Sequence, residues 1–345
     1  MRRSNAEWDF MGRTFLALAL AEMSLREPAS RDRWLGIIDT LIDETLRLER
    51  DQGMYVFLMP YARVREFVQK PARSLFIDSE IAIMIAARRL VAERHELKPE
   101  LDLRVRAIAA RLKPGPHPVA ESYPNECWTF DHAIALAALR CADAVDGTDH
   151  RALCESWVAM ARQRLVEPKT GLLVSSFTTD SVHLDGPEGS SIWAAAHFLR
   201  LIDPAFAEDQ YRRSRSELGR TLLGFSWSRE WPTSWRSPGD IDSGAVIPLL
   251  DVSAGGSGMA FIAAASFGDS DYFQKLRTTL DFAAFPTTRD ERLQYSASNQ
   301  VGDAVLLYSA VLGPLWDHVT SRLGNPASPS KPLSESANSS ESTPR

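Results

Sequence analysis

An all-α toroid, an (α/α)6 barrel of about six inner and six outer helices, is the fold this sequence predicts, and three observations carry it. Helical stretches that are apolar all round alternate with amphipathic, charged ones. The apolar stretches begin near Trp8, Asp78, Glu126, Glu188, Gly256 and Asn299, at intervals of roughly 45 to 70 residues. Each opens on polar residues and closes on apolar ones. A helix apolar on every side must be covered on every side, whereas an amphipathic helix covers with one face. The alternation therefore implies inner helices ringed by outer ones. An open solenoid would show shorter and more uniform repeats.

Taken in order, residues 6–25 form the first apolar helix, ended by Pro28, and Ser30 can cap an amphipathic one over 31–51. In the latter, Trp34, Ile37, Ile38, Leu41, Ile42, Thr45 and Leu46 keep helical spacing against a charged opposite face. Residues 53–77 are irregular and aromatic. Asp78, Ser79 and Glu80 open an apolar helix through Ala87, followed by an amphipathic partner over 100–112. A proline-rich loop leads to the segment 121–132, which opens an apolar helix ending near Gly147 and partnered over 149–166. Residues 172–177 read as a short strand, half of a small hairpin at one end of the barrel. Apolar helices at 192–199, 259–265 and 304–312 then pair with amphipathic ones at 205–223, 271–285 and 314–323. One domain over 1–323 results, and the Ser/Pro-rich residues 324–345 are expected to be a disordered tail.

The chain has 345 residues, 44% apolar, enough for a large core. A net charge of −6 and a pI near 5.7 argue against nucleic acid as a partner. Cys127, Cys141 and Cys154 are odd in number and show no CxxC spacing, and no HExxH occurs, so neither a disulfide framework nor a metal site is expected. The apolar run from Phe15 to Ala21 is too short to span a bilayer. The protein is expected to be soluble and cytoplasmic, with room for an anchor upstream of this chain.

Parallel inner helices bring their N-termini to one end, so the polar helix starts should line one funnel, the pocket for a small-molecule substrate. Helix capping is the plainer explanation for such residues taken singly. Glu126 is the first candidate for a general acid, because a carboxyl beside aromatics in a desolvated pocket holds its proton. Asp78 is the second. Asp131, His132 and Tyr61 are candidate bases, and Cys127 a candidate nucleophile, although a buried thiol is more often an apolar filler. His197 reads as a packed core residue. Tyr55, Tyr123, Trp128, Glu188, Trp231, Tyr295, Asn299 and Asp303 are expected to contact substrate. Trp227 and Trp235 add aromatic surface, and Asp240 with Asp242 forms a weak DxD cation motif. No cofactor is called for.

The segments GMYVFLMPY (53–61), SYPNECWTFDH (122–132), PEGSSIW (187–193) and SNQVGDA (298–304), set on alternating helices, resemble the linalool dehydratase/isomerase-like family of (α/α)6 barrels. The resemblance covers roughly 8–323 and lies in architecture and polar helix starts. It implies a cofactor-independent lyase or isomerase that removes water from, or isomerises, a small apolar alcohol with tyrosine, aspartate, histidine and cysteine side chains. The family's paired cysteines around a Glu-Pro segment have a partial counterpart in Glu126 and Cys127 after Pro124. The alternatives are a carbohydrate-active toroid, which also needs two carboxylates across a cleft, and a non-catalytic binding toroid. Fold alone decides none of them.

Overall fold

The computed structural model describes residues 5–113, 117–235, 246–290 and 292–324. Asp240, Asp242 and residues 325–345 lie outside them. The inner helices are α1 (Ala6–Arg26), α3 (Leu75–Val91), α5 (Thr129–Asp146), α7 (Gly189–Leu199), α9 (Ala254–Ser266) and α11 (Gln300–Val311). The helices between them are α2 (Arg31–Gln52), α4 (Lys98–Arg111), α6 (Arg151–Arg164), α8 (Pro204–Glu217), α10 (Ser270–Ala283) and α12 (Pro314–Arg322). Each inner helix packs on the next, and α11 returns to α1, so the ring of six closes. The predicted toroid is the fold observed.

Composition explains the close approach. Ala133, Ala135, Ala137 and Ala138 on α5, and Ala194, Ala195 and Ala196 on α7, are fully buried or within 1% of it. Small side chains let the inner helices touch backbone to backbone. Where α1 meets α11, a Cβ on Gly12 would lie 3.5 Å from the Val301 Cα. Larger residues fill the gaps, among them Phe10, Phe15 and Phe76. Each such side chain contributes about 1.5–3 kcal/mol through burial. Several helix starts are capped by side chains: Asn5 accepts from the Trp8 N–H, Ser253 from Gly256 and Asn299 from Gly302, whereas Ser30, the cap expected for α2, makes no side-chain capping bond.

Helix α12 departs from expectation. Instead of walling α11 from outside, it packs against α1, α3 and α5 across the C-terminal ends of the ring. Trp316 stacks on His197 near the end of α7, with ring centroids 5.2 Å apart. Glu22, near the end of α1, accepts the N–H groups of Gly313 and Leu315 at 3.1 and 2.7 Å. The helix is a plug that closes the bottom of the barrel.

The β content also exceeds one hairpin. Strands β1 (Cys127–Trp128), β2 (Ser176–Phe177) and β3 (His183–Asp185) form one antiparallel sheet. Strands β4 (Gly219–Leu222), β5 (Phe225–Ser228), β6 (Val246–Ile247) and β7 (Val252–Ser253) form a second, in the order β4-β5-β7-β6. Strands β8 (Pro286–Arg289) and β9 (Arg292–Tyr295) make a hairpin. The helix expected to reach residue 223 ends at Glu217, and the chain there turns into β4. Among the described residues, no helix is long and apolar enough to cross a membrane.

Candidate active site

A cavity of about 440 Å³ sits at the N-terminal end of the ring and takes lining residues from all six inner helices. Its wall is mainly apolar, with Trp8, Phe76, Trp128, Phe130, Phe261 and Val305 among the liners. Three carboxyls reach it: Glu7 from α1, Asp131 from α5 and Glu188 at the start of α7. Most polar groups on the wall are already used by the fold. The hydroxyls of Ser190, Ser191, Ser226, Ser257, Ser298 and Thr279 all have hydrogen-bond partners in the protein.

Beside the cavity lies Glu80, one helical turn below Phe76 on the same face of α3. It is fully buried, and neither of its oxygens makes a hydrogen bond within the protein. Burial pushes its carboxyl up to about 8; the Thr14 hydroxyl facing it opposes the shift, and the charge of Glu7 adds to it. Asp131 is also held well above the usual carboxylate range, first by burial, then by the charges of Glu80 and Glu126. Ser122 faces Asp131 and offsets part of that. Thr14 Oγ1 and Ser122 Oγ, like Glu80, have no well-formed hydrogen bond. Unsatisfied buried polar atoms are uncommon, and several of them gather here around two acids that burial holds above the usual carboxylate range.

Glu126 is placed differently from expectation. It precedes α5 in a tight turn with Tyr123, and one of its oxygens accepts from Tyr61 Oη at 3.3 Å and Trp128 Nε1 at 2.6 Å. The first-turn, desolvated-acid reading of Glu126 is therefore corrected. It orients Trp128, whose indole lines the cavity. Tyr61 stacks on Tyr123 at 4.7 Å, and the Tyr123 hydroxyl accepts from the Met59 N–H at 3.1 Å. Neither tyrosine reaches the cavity wall, and nor does Tyr55, which lies under the Arg63 guanidinium.

Asp78 requires the clearest correction. It is fully buried, and its two oxygens are shared among Arg73, Arg104 and Arg111, the last two from α4, at 2.5 to 3.4 Å. It points away from the barrel axis and is a structural ion pair. His132 is structural too. Its Nε2 accepts from the Ala120 N–H at 3.0 Å, and its Nδ1 donates to the Trp128 carbonyl at 2.7 Å. Burial lowers it to about 4, so it stays neutral with no lone pair left to act as base. The Cys127 thiol is buried in β1 and pushed well up by that burial, which disfavours the thiolate a nucleophile needs. All three cysteines are buried and free.

Among the expected substrate contacts, Trp128, Glu188 and Asn299 line the cavity. Trp231 stacks on Trp235, which lies against Gly186, and Trp227 donates to the Leu250 carbonyl at 2.9 Å. These tryptophans pack their own loops. Tyr295 donates to Asp281 at 2.7 Å on the outside of the barrel, and Asp303 is exposed. His197 is the core residue expected, bonded to Ser266 at 2.5 Å and Tyr308 at 2.8 Å. Among the described residues, no three His, Cys, Asp or Glu side chains are placed to hold a metal ion.

A reading of helix starts passes over Glu7 and does not separate Glu80 from Asp78. The usable signal is the helical face. Phe76 and Glu80, four residues apart, share the axial face of α3, whereas Asp78 is displaced about 200° around the helix from Phe76. Glu7 and Met11 line the cavity from one face of α1 in the same way.

No protein-family model matches the sequence, and no curated protein sequence matches it. Solved structures do match in fold. A family 105 glycoside hydrolase from C. acetobutylicum aligns over 93% of this chain and 95% of its own, with a TM-score of 0.52 and 10% identity. The GH76 alpha-mannanase of Bacteroides thetaiotaomicron aligns over 91% and 86%, with a TM-score of 0.51 and 10% identity. Both are (α/α)6-type glycoside hydrolases. At such identity the likeness concerns the fold alone.

Proposed function

We propose that the chain is a cofactor-independent acid/base enzyme, a lyase or isomerase, acting on a hydroxyl of a small, largely apolar substrate. The observation that carries the reading is the pairing of an apolar cavity wall with a buried carboxyl on that wall, Asp131, which burial holds well above the usual carboxylate range. Asp131 lines the cavity and donates its proton to the leaving hydroxyl, so that the C–O bond breaks and water departs. Glu188, facing the same space from α7, accepts a proton from the neighbouring carbon, whose C–H electrons form the double bond. The balance is alcohol to alkene plus water. Glu80, behind Asp131, supports the protonated state of its neighbour. The faces of Trp128, Phe76 and Phe130 shield developing positive charge on carbon.

A second reading is favoured by a different observation. The two fold relatives named above are glycoside hydrolases, and a pair of carboxyls across a pocket is also what glycoside cleavage uses. Against it stands a wall whose hydroxyls are already bonded, because a sugar needs many polar partners.

One experiment separates the two. The purified protein is incubated with a panel of terpenoid and aliphatic alcohols and, in parallel, with mannan and pectin-derived oligosaccharides. Alkene or rearranged alcohol is followed by gas chromatography and new reducing ends by colorimetry. The acid/base reading expects turnover in the first arm only, reduced at least 100-fold in Asp131→Asn with little change in melting temperature. New reducing ends without alcohol turnover would transfer the assignment to the carbohydrate class.

A further inference from the structure

The cavity does not end at the barrel axis. Besides the carboxyls it is lined by Gly258 of α9 and Val305 of α11 and, from the outer helix α10, by Leu276, Leu280 and Ala283, a set that places a branch between α9 and α11. Glycine opens the passage. A Cβ on Gly258 of α9 would meet only the Val305 Cγ1, at 4.0 Å, across the gap to α11. At the far end the polar atoms are spent: Thr279 Oγ1 donates to the Ser226 carbonyl at 2.7 Å and accepts from the Ser226 N–H at 2.9 Å. The Ser226 hydroxyl is bonded to Thr221.

We infer that this branch is a gallery for an apolar chain, and that the ligand is an amphiphile with one hydroxyl head at Asp131 and a chain running past Gly258 to α10. The head-group assignment rests on the acid/base reading above, whereas the chain-binding gallery does not. A wall with carboxyls at one end and, among the described residues, Thr279 and Ser226 hydroxyls already bonded at the other binds a molecule of the same asymmetry. The volume of about 440 Å³ accommodates on the order of fifteen non-hydrogen atoms at ~30 Å³ each. Gly258 and Leu280 become the residues that set chain length, one at the neck and one at the far end.

The test is a homologous series of straight-chain primary alcohols, from six to sixteen carbons, competed against Nile red on the full chain. Affinity is expected to rise about threefold to fourfold per added methylene and to level off at roughly a dozen carbons, when head and chain fill the space. Gly258→Leu should bring the plateau to shorter chains without weakening the shortest alcohol. Leu280→Ala should move it to longer ones, and Gly258→Ala should leave it in place. A flat series in the wild type overturns the gallery, as does an equal effect of Gly258→Leu and Leu280→Ala on every chain length. Because the readout is binding, a rising series in a protein that turns over no alcohol keeps the gallery and removes the lyase reading. Turnover with a flat series does the reverse.

Discussion

The two ends of the barrel bury similar groups and treat them oppositely. At the bottom, His197 is bonded on both ring nitrogens, to Ser266 and Tyr308, and Glu22 accepts two backbone N–H groups from the turn before α12. The plug helix then covers them. At the top, Glu80 is as deeply buried as His197 but has no bond to either oxygen, and Asp131 faces an open cavity. A buried ionisable group that is satisfied and covered supports the fold. One that is unsatisfied beside a void costs the fold stability, and ligand chemistry is the reason to keep it. Burial by itself does not distinguish Glu22 and His197 from Glu80; the state of their own hydrogen bonds does, even though Trp316 Nε1 and His318 Nε2 on the plug also lack partners.

The largest effect is expected from breaking the satisfied end. His197→Leu leaves the Ser266 and Tyr308 hydroxyls without their shared partner and removes the ring that Trp316 stacks on. The cost should be about 2–4 kcal/mol, read as a fall in melting temperature of roughly 3–6 °C. Ligand binding by the folded fraction should not change, since His197 is far from the cavity wall along α7. A melting temperature that stays level would mean that the bottom network is no more stabilising than a plain apolar floor.

The same contrast explains what was legible in the sequence. The closed ring was, because all-round apolar runs such as 133–139 have one structural solution and amphipathic runs another. The position of α12 was not. Leu315, Trp316 and Val319 announce a buried face but carry no mark of whether it covers a flank or an end. Of the small sheets only the strand within 172–177 was legible, because strands of two to four residues are too short to show a period. At the candidate site, the polar helix starts led to the end of the barrel where the cavity lies and to four of its liners, Trp128, Asp131, Glu188 and Asn299. They ranked Asp78 above Glu80, because both sit at the start of α3 and only the helical face separates them. The arginines at 73, 104 and 111 that claim Asp78 come from a loop and another helix, a pairing that needs the fold to be visible.

A smaller effect, of opposite sign, is expected at the top. Glu80 is raised in the folded state to about 8 from an ordinary 4.5. A raised carboxyl binds its proton more tightly when folded, so its stability contribution is complete below 4.5 and is lost as pH rises towards 8. Glu80→Gln removes that loss while keeping the shape. The variant should be more stable than wild type by about 1–3 kcal/mol at pH 8 and closely matched at pH 4.5, as measured by urea unfolding across that window. If Glu80→Gln destabilises at pH 8, the ionised carboxylate has a stabilising role and the comparison of the two ends fails.

Glu22 offers the sharpest version, because it is a buried acid at the satisfied end. It is raised to about 7, chiefly by burial, with the Leu315 and Gly313 N–H groups opposing the shift. Its sign is the same as that of Glu80: stability is greatest below 4.5 and falls as pH rises through 7. The difference lies in what glutamine can replace. In Glu22→Gln the amide oxygen keeps one backbone N–H and the other loses its acceptor, a cost of about 1 kcal/mol that offsets the relief of the buried charge. The variant should therefore lie within about 1 kcal/mol of wild type at pH 8, with its difference from wild type levelling off by about pH 7 rather than 8. Unfolding curves for Glu22→Gln and Glu80→Gln at the same pH values decide the matter. A gain at Glu22 equal to that at Glu80 would show that two backbone donors do little for a buried carboxylate, and hydrogen-bond satisfaction would no longer separate the plug from the pocket.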